Sequence, residues 1–200
     1  SAAQQITSGH SAIAVAAGGQ HSLALRTDGS VAAWGSNTYG QATVPTDLGG
    51  CVVVAAGDVH SLAVATAGSV RAWGRNNYGQ ATPPADLSGV VQIASGGYHN
   101  LALLADGTVR AFGYDFYGQS TVPAGLGACT AIAAGNYHSV ALRADGVVVA
   151  WGQNTYGQCA VPANLGPVRA IAAGRDHTLA LLQGGGVVAF ARAAGSSPLP

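Results

Sequence analysis

Residues 90–123 read VVQIASGGYHNLALLADGTVRAFGYDFYGQSTVP, and their short apolar runs between glycine-rich breaks mark strands rather than helices. Val91-Gln92-Ile93-Ala94 forms a first strand, and Gly96-Gly97-Tyr98 is a turn. His99 to Leu104 forms a second strand. Ala105-Asp106-Gly107-Thr108 closes a tight hairpin, because Asp-Gly readily takes the positive φ angles such turns need. Val109-Arg110-Ala111-Phe112 makes a third strand, and Gly113 to Gly118 a loop. Gln119 to Val122 is expected as a short fourth strand, ended by Pro123, which lacks a backbone donor and suits a sheet edge.

The unit recurs along the chain. His21, His60, His99, His138 and His177 follow one another at 39 residues. The same interval relates Gly18, Gly57, Gly96, Gly135 and Gly174, and relates Trp34, Trp73, Phe112, Trp151 and Phe190. Pro45, Pro84, Pro123 and Pro162 keep it too. Four short antiparallel strands per unit of about 40 residues define a propeller blade. The chain is therefore expected to be an all-β, five-bladed β-propeller of antiparallel four-stranded blades. It forms a single domain over 1–200, with repeats at about 12–50, 51–89, 90–128, 129–167 and 168–200 plus an N-terminal strand. Residue sizes fit the wedge shape. Ala16-Ala17, Ala55-Ala56 and Ala133-Ala134 sit where blades converge, and the large Trp or Phe lies farther out.

Five copies leave almost no spare chain, so a closed ring is expected, which removes exposed sheet edges. The last copy is irregular, with Gly195-Ser196-Ser197 where others have Tyr-Gly-Gln. Its fourth strand comes from Ser196 to Pro200 or, as preferred here, from Gln4 to Thr7 beside residues 187–190. An open arc, or a dimer that completes the ring, is the alternative.

Composition excludes several function classes. Eight Arg balance eight Asp, with no Lys, Glu or Met, and only 8% of residues are charged, against roughly 25% in an ordinary soluble domain. No basic excess points to nucleic acid. No apolar run approaches the ~18 residues of a membrane-spanning helix. Cys51, Cys129 and Cys159 make no even disulfide framework, and their spacing fits no zinc pattern. No cofactor or metal is expected. Compartment is left open by composition.

The recurring phrase is Ala-Ala-Gly-x-x-His-Ser-Leu-Ala-Leu, then Asp-Gly, then Val-x-Ala-Trp-Gly-x-Asn-x-Tyr-Gly-Gln and Val-Pro. Over residues 13 to about 192 it resembles the regulator of chromosome condensation repeat family. The short unit is most similar to a secreted bacterial propeller group that inhibits class A β-lactamases. That resemblance implies a propeller that binds protein, and slightly favours a secreted bacterial setting. Chromatin-bound members of the family act as exchange factors for a small GTPase. The chain shows no basic tail or long inserted loop, which argues against that role.

The repeated histidines invite a metal reading, but no carboxylate or thiolate recurs beside them, and each starts a strand. A packing and hydrogen-bonding role between blades is expected. His21-Ser22, His60-Ser61 and His138-Ser139 are strand neighbours that point to opposite faces, so they form no nucleophile–base pair. Asp28, Asp106 and Asp145 fall in hairpin turns, and Asp47 and Asp86 in inter-blade connections. No catalytic residue is assigned and no enzyme is expected.

Antiparallel order places the loop after strand one and the loop after strand three of every blade on one side of the disc. There the copies differ most. Candidate partner-binding residues on this side are Gln20, Asp58, Arg75, Tyr98, Tyr114, Asp115, Phe116, Asn136, Tyr137, Arg175 and Asp176. Tyr114 and Phe116 stand out, since their counterparts are Ser36 and Thr38, or Arg75 and Asn77. Aromatics flanked by charge are the residue types enriched at binding hot spots. Tyr39, Tyr78, Tyr117 and Tyr156 recur in register and read as framework. A protein partner is expected; glycan binding, and a structural or homo-oligomeric role, are the alternatives.

Overall fold

The computed structural model describes residues 11–191. These residues form strands and turns, with no helix among them. The first blade holds β1 (Ala12–Ala17), β2 (His21–Arg26) and β3 (Val31–Gly35). The second holds β4 (Cys51–Ala56), β5 (His60–Ala65) and β6 (Val70–Gly74). The third holds β7 (Val90–Ser95), β8 (His99–Leu104) and β9 (Val109–Gly113). The fourth holds β10 (Cys129–Ala134), β11 (His138–Arg143) and β12 (Val148–Gly152). The fifth holds β13 (Val168–Ala173), β14 (Thr178–Leu182) and β15 (Val187–Phe190). Each set of three is its own antiparallel sheet in chain order.

The hairpins follow the expected chemistry. Gly107 takes φ +85°, and Asp106 Oδ1 accepts the backbone N–H of Thr108 at 2.9 Å. Asp28 and Asp145 brace their hairpins in the same way, through Ser30 and Val147. Every first strand carries a bulge near its start, as between Val90 and Gln92. The unpaired residue there is thrown outward, so Val52 and Val91 are exposed despite being apolar.

Sheets of three strands replace the expected four. Gln119 to Val122 forms turn and coil instead of strand. The reason lies in what Gln119 binds. Its side-chain Oε1 accepts the N–H of Tyr117 at 3.0 Å, folding the segment back on itself. Its carbonyl, which a fourth strand would spend on a ladder, accepts Trp151 Nε1–H at 3.0 Å and the Ser139 hydroxyl at 2.8 Å from the next blade. Gln41 does the same for Trp73 and Ser61. These glutamines are fully buried clasps between blades.

Histidines complete each junction. Nε2 of His21 meets Ser61 Oγ at 2.8 Å, and Nε2 of His60 meets Asn100 Oδ1 at 2.8 Å. His99 meets Ser139 at 2.9 Å, and His138 meets Thr178 at 3.0 Å. Ser61 already donates its proton to Gln41, so its oxygen accepts from His21, which fixes the Nε2–H tautomer. Nδ1 of His21, His60, His99 and His138 is then bare, buried and without a partner. Four apolar clusters bridge the same four junctions, such as Leu101, Leu103 and Val109 of blade three with Ile132, Ala141 and Trp151 of blade four.

A closed five-blade ring is not what the described residues form. Blades pack one on the next from one to five, and no strand of blade five packs on blade one in that manner. A backbone chain around the axis tells the same story. It runs from Gly19 N–H to Gly57, Asp58 N–H to Gly97, Gly97 N–H to Asn136 and Asn136 N–H to Arg175, with no described bond from Arg175 back to blade one. The expected terminal strands, Gln4 to Thr7 and Ser196 to Pro200, lie outside the described residues.

Candidate functional site

The loops after the first and third strands do share one side, and that side carries a continuous aromatic ridge. Tyr98 leaves the β7–β8 turn, and Tyr114 and Phe116 leave the loop after β9. Tyr98 and Tyr114 ring centroids lie 6.5 Å apart, and Tyr114 stacks on Phe116 at 6.3 Å with planes 12° apart. Tyr137 of blade four closes on Tyr114 at 5.9 Å and on Tyr117 at 5.5 Å. Phe116 meets Tyr117 edge-on at 5.0 Å. Its ring is 77% exposed, a large apolar surface held in water by the loop beneath it.

Tyr78 joins this ridge from blade two, 4.7 Å from Tyr114 and 5.7 Å from Tyr98. Sequence reading treats Tyr78 as framework because it recurs in register, and Tyr117 recurs in the same way. Recurrence marks the backbone shape of the loop, and that loop points their rings outward. The signal that would have found them is the pair of extra aromatics in blade three, which gives those recurring rings something to pack on.

Arg75 extends the ridge toward blade one. Its guanidinium lies 4.9 Å from the Tyr39 ring centroid and 5.8 Å from that of Tyr98. Stacking between two faces holds this cation without a carboxylate partner, which suits Arg better than Lys. Mutual crowding and loss of water push the Tyr114 hydroxyl above its usual range, with Tyr117, Tyr78 and Tyr137 adding to the effect. Desolvation also raises Tyr137, with Tyr98 and Asp58 adding to it. Both hydroxyls thus stay protonated at neutral pH and are available as donors.

Inward of the ridge, the turns after the first strands surround an axial cavity of about 480 Å³. Asp58, Tyr98, Asn136, Tyr137 and Arg175 line it, so five expected site residues share one mouth. Arg175 pairs with Asp176 at 3.5 Å. Gln20 is exposed on the first blade's turn and outside the cavity lining.

Asp115 also braces its own loop. Its Oδ1 accepts the N–H of Ser120 and its Oδ2 accepts the Thr121 hydroxyl, both at 2.6 Å. Asn37 and Asn76 tie the equivalent loops in the same way, to Ala42 and Thr43 and to Ala81 and Thr82. Asp115 therefore shapes the platform under Phe116. Replacing Asp115 with Asn is expected to shift unfolding free energy by less than about 0.5 kcal/mol in urea denaturation, because an amide serves in other repeats. A loss above ~2 kcal/mol would show that the carboxylate charge itself matters.

No cluster of three metal-ligating side chains occurs among the described residues. Cys159 is partly buried and pushed up to about 11 by desolvation, which leaves it a poor nucleophile.

Radial three-stranded sheets joined by histidine clasps, with an aromatic ridge on one rim, define a repeat β-propeller. The regulator of chromosome condensation (RCC1) repeat pattern matches residues 12–41, 51–80, 90–119 and 129–158, more than half of the chain. The chain belongs to the RCC1 repeat family. No curated protein sequence matches it.

Solved structures agree. The yeast RCC1 protein Prp20, in a crystal structure with Kap60, superposes with TM-score 0.78 at 25% identity, over 92% of this chain and 56% of that one. Prp20p from Saccharomyces cerevisiae, in a structure reported with its binding properties to Gsp1p and histones, gives TM-score 0.74 at 28% identity, over 89% and 56%. Human WBSCR16 gives TM-score 0.78 at 25% identity, over 91% and 62%. The chain thus spans less than two thirds of each of these relatives.

Proposed function

We propose that this propeller is a non-enzymatic protein-binding platform whose contact surface is the aromatic ridge of Tyr78, Tyr98, Tyr114, Phe116, Tyr117 and Tyr137. One observation carries the reading: six rings from three blades form an unbroken chain of contacts on a single rim, with Phe116 held almost fully in water. Tyrosines fixed by their neighbours lose little entropy on binding and present both apolar area and a donor. Arg75, Asp58 and Arg175 supply charge at the margin, where it sets orientation and encounter rate. Prp20, similar in fold, is bound to Kap60 in one structure and is reported with binding properties to Gsp1p and histones in another, which supports a protein-binding reading.

Inhibition of a secreted enzyme such as a class A β-lactamase is the finer form of this reading, and glycan binding its competitor. A sugar-binding propeller would repeat its aromatic pocket in most blades, whereas this ridge is concentrated on blades two to four. The test is partner capture on immobilised protein, followed by affinity measurement with a Tyr98→Ala, Tyr114→Ala, Phe116→Ala triple variant. Binding is expected to weaken at least about 100-fold, as loss of a central hot spot does. Unchanged affinity in a folded triple variant would remove the ridge from the interface. Glycan-array hits without any protein captured would favour the competitor.

A further inference from the structure

The first residue after a blade's third strand sits over that blade's clasp glutamine, and blades two and three fill this position against their own stability. In blade one the residue is Ser36, whose Oγ accepts the side-chain N–H of Gln41 at 3.3 Å. In blade four it is Gln153, whose Oε1 accepts from Gln158 at 3.3 Å. In blades two and three it is Arg75 and Tyr114. The clasps of those blades, Gln80 and Gln119, keep a buried Nε2 with no acceptor. A buried donor left without a partner destabilises the fold. A side chain that denies its own protein a hydrogen bond points to a use outside that protein.

The two side chains are held alike. The Arg75 guanidinium lies 4.9 Å from the ring of Tyr39, in the blade before, and 5.8 Å from that of Tyr98, on the turn of the blade after. Tyr114 lies 4.7 Å from Tyr78 and 5.9 Å from Tyr137, the corresponding pair one blade on. Arg75 is thus the next member of the ridge in series, with a cation in place of a ring. Among the described residues no carboxylate pairs with it, and its Nε is covered without an acceptor. Arg175, on the same face, is already matched to Asp176 at 3.5 Å. Asp58 lines the axial cavity, and Arg75 does not. The ridge therefore runs from an unneutralised guanidinium on blade two to the bare Phe116 ring on blade three.

Taking the ridge as the contact surface proposed above, we infer that it selects a protein segment carrying a carboxylate side chain for Arg75 and, close to it, a large apolar side chain for Phe116. A planar guanidinium whose faces are covered by rings offers its edge. The two oxygens of a carboxylate match that edge with paired N–H···O bonds. A nucleic acid would call for several unpaired cations, whereas Arg75 stands alone on the ridge among the described residues. The steps from Arg75 through Tyr98 and Tyr114 to Phe116 measure 5.8, 6.5 and 6.3 Å. The acid and the apolar group thus fall within about six residues of each other on an extended segment.

The probe is a phage-displayed library of random peptides, selected on the immobilised chain and counter-selected on the Tyr98→Ala, Tyr114→Ala, Phe116→Ala variant. Retained peptides are expected to carry Asp or Glu within about six residues of Phe, Trp, Leu or Ile. Synthetic copies are then titrated by fluorescence anisotropy against the wild-type chain and Arg75→Gln. This substitution is expected to weaken binding at least about tenfold. It also supplies the acceptor that Gln153 gives its own clasp, so the melting temperature should hold or rise by about 2 °C. Changing the peptide's acid to the amide should weaken wild-type binding to the same extent and leave Arg75→Gln binding unaltered. Peptides that need the ridge without an acidic preference overturn the inference and leave the ridge as a contact surface. So do peptides whose acid counts as much on Arg75→Gln as on the wild-type chain. A lowered melting temperature for Arg75→Gln overturns it too, because the arginine would then serve the fold. A library with no peptide that the triple variant loses overturns both readings.

Discussion

Lowering the pH from 7 toward 4 is expected to unfold this protein, and the histidine clasps are the cause. Burial drives His60 and His138 to about 4 and His99 to about 3. Burial lowers His21 as well. An imidazole in the unfolded chain titrates near 6.5. Below that value the unfolded chain takes up protons that the native protein refuses, so stability falls with pH throughout the window. The loss for each group ends only below its folded value. Each proton held by one state alone costs roughly 1.4 kcal/mol per pH unit. His60, His99 and His138 together therefore remove up to about 4 kcal/mol per unit near pH 5, less toward either end of the window, against a total stability of about 5–15 kcal/mol for a typical domain. Burial is the main cause, and a proton added to the bare Nδ1 would find no hydrogen-bond acceptor. Circular dichroism across a pH series, with proton uptake measured in parallel, checks this. The midpoint is expected at about pH 4 to 5.5 with uptake of about three protons. A chain still folded at about pH 3.5 would refute it.

The second large effect is at the glycine beside each histidine. A Cβ on Gly96 would meet the His99 ring, with Nδ1 at 2.6 Å, and would also run into the carbonyl oxygen of Gly135 in the next blade. Neither has room to yield, since one is a buried ring and the other is backbone. Gly96→Ala is expected to cost about 3 kcal/mol or more, at the upper end for overpacking. Gly174→Ala is the internal control. The three atoms nearest its Cβ all belong to the His177 ring, which is exposed and free to swing away. That change is expected to cost less than about 1 kcal/mol. Urea denaturation of the two variants side by side gives the comparison. Equal costs would mean that the blade-to-blade approach is not what excludes a side chain here.

Much of this architecture was legible in the residues because it is written in period. The 39-residue spacing of Gly96, His99 and Phe112 with their equivalents located three strands per blade and the junction role of the histidines. Gln119-Ser120-Thr121-Val122 misled because it stands between a loop and Pro123, where the last strand of a four-stranded blade belongs. Its glutamine is a buried clasp, and burial of a polar side chain is invisible to pattern. Closure misled too. Five repeats fill the chain, but whether the last meets the first depends on the angle between sheets, which no local spacing encodes. Tyr98, Tyr114, Phe116 and Tyr137, which lie together in the aromatic ridge, are legible as departures from the repeat. Tyr78 drew no notice because it obeys the repeat, and the loop-bracing role of Asp115 was hidden because a carboxylate stands where an amide ties this loop elsewhere.

Each blade adheres only to its immediate neighbours, and the described series has two free flanks. Pulled by its ends, such a molecule should peel rather than snap. Force applied with optical tweezers would strip terminal sheets first, in discrete rips. Each rip would release one repeat, about 130 Å of extended polypeptide. Sheets in mid-series, gripped from both sides, would give way last. The mechanical record would then read out the order of the blades along the chain.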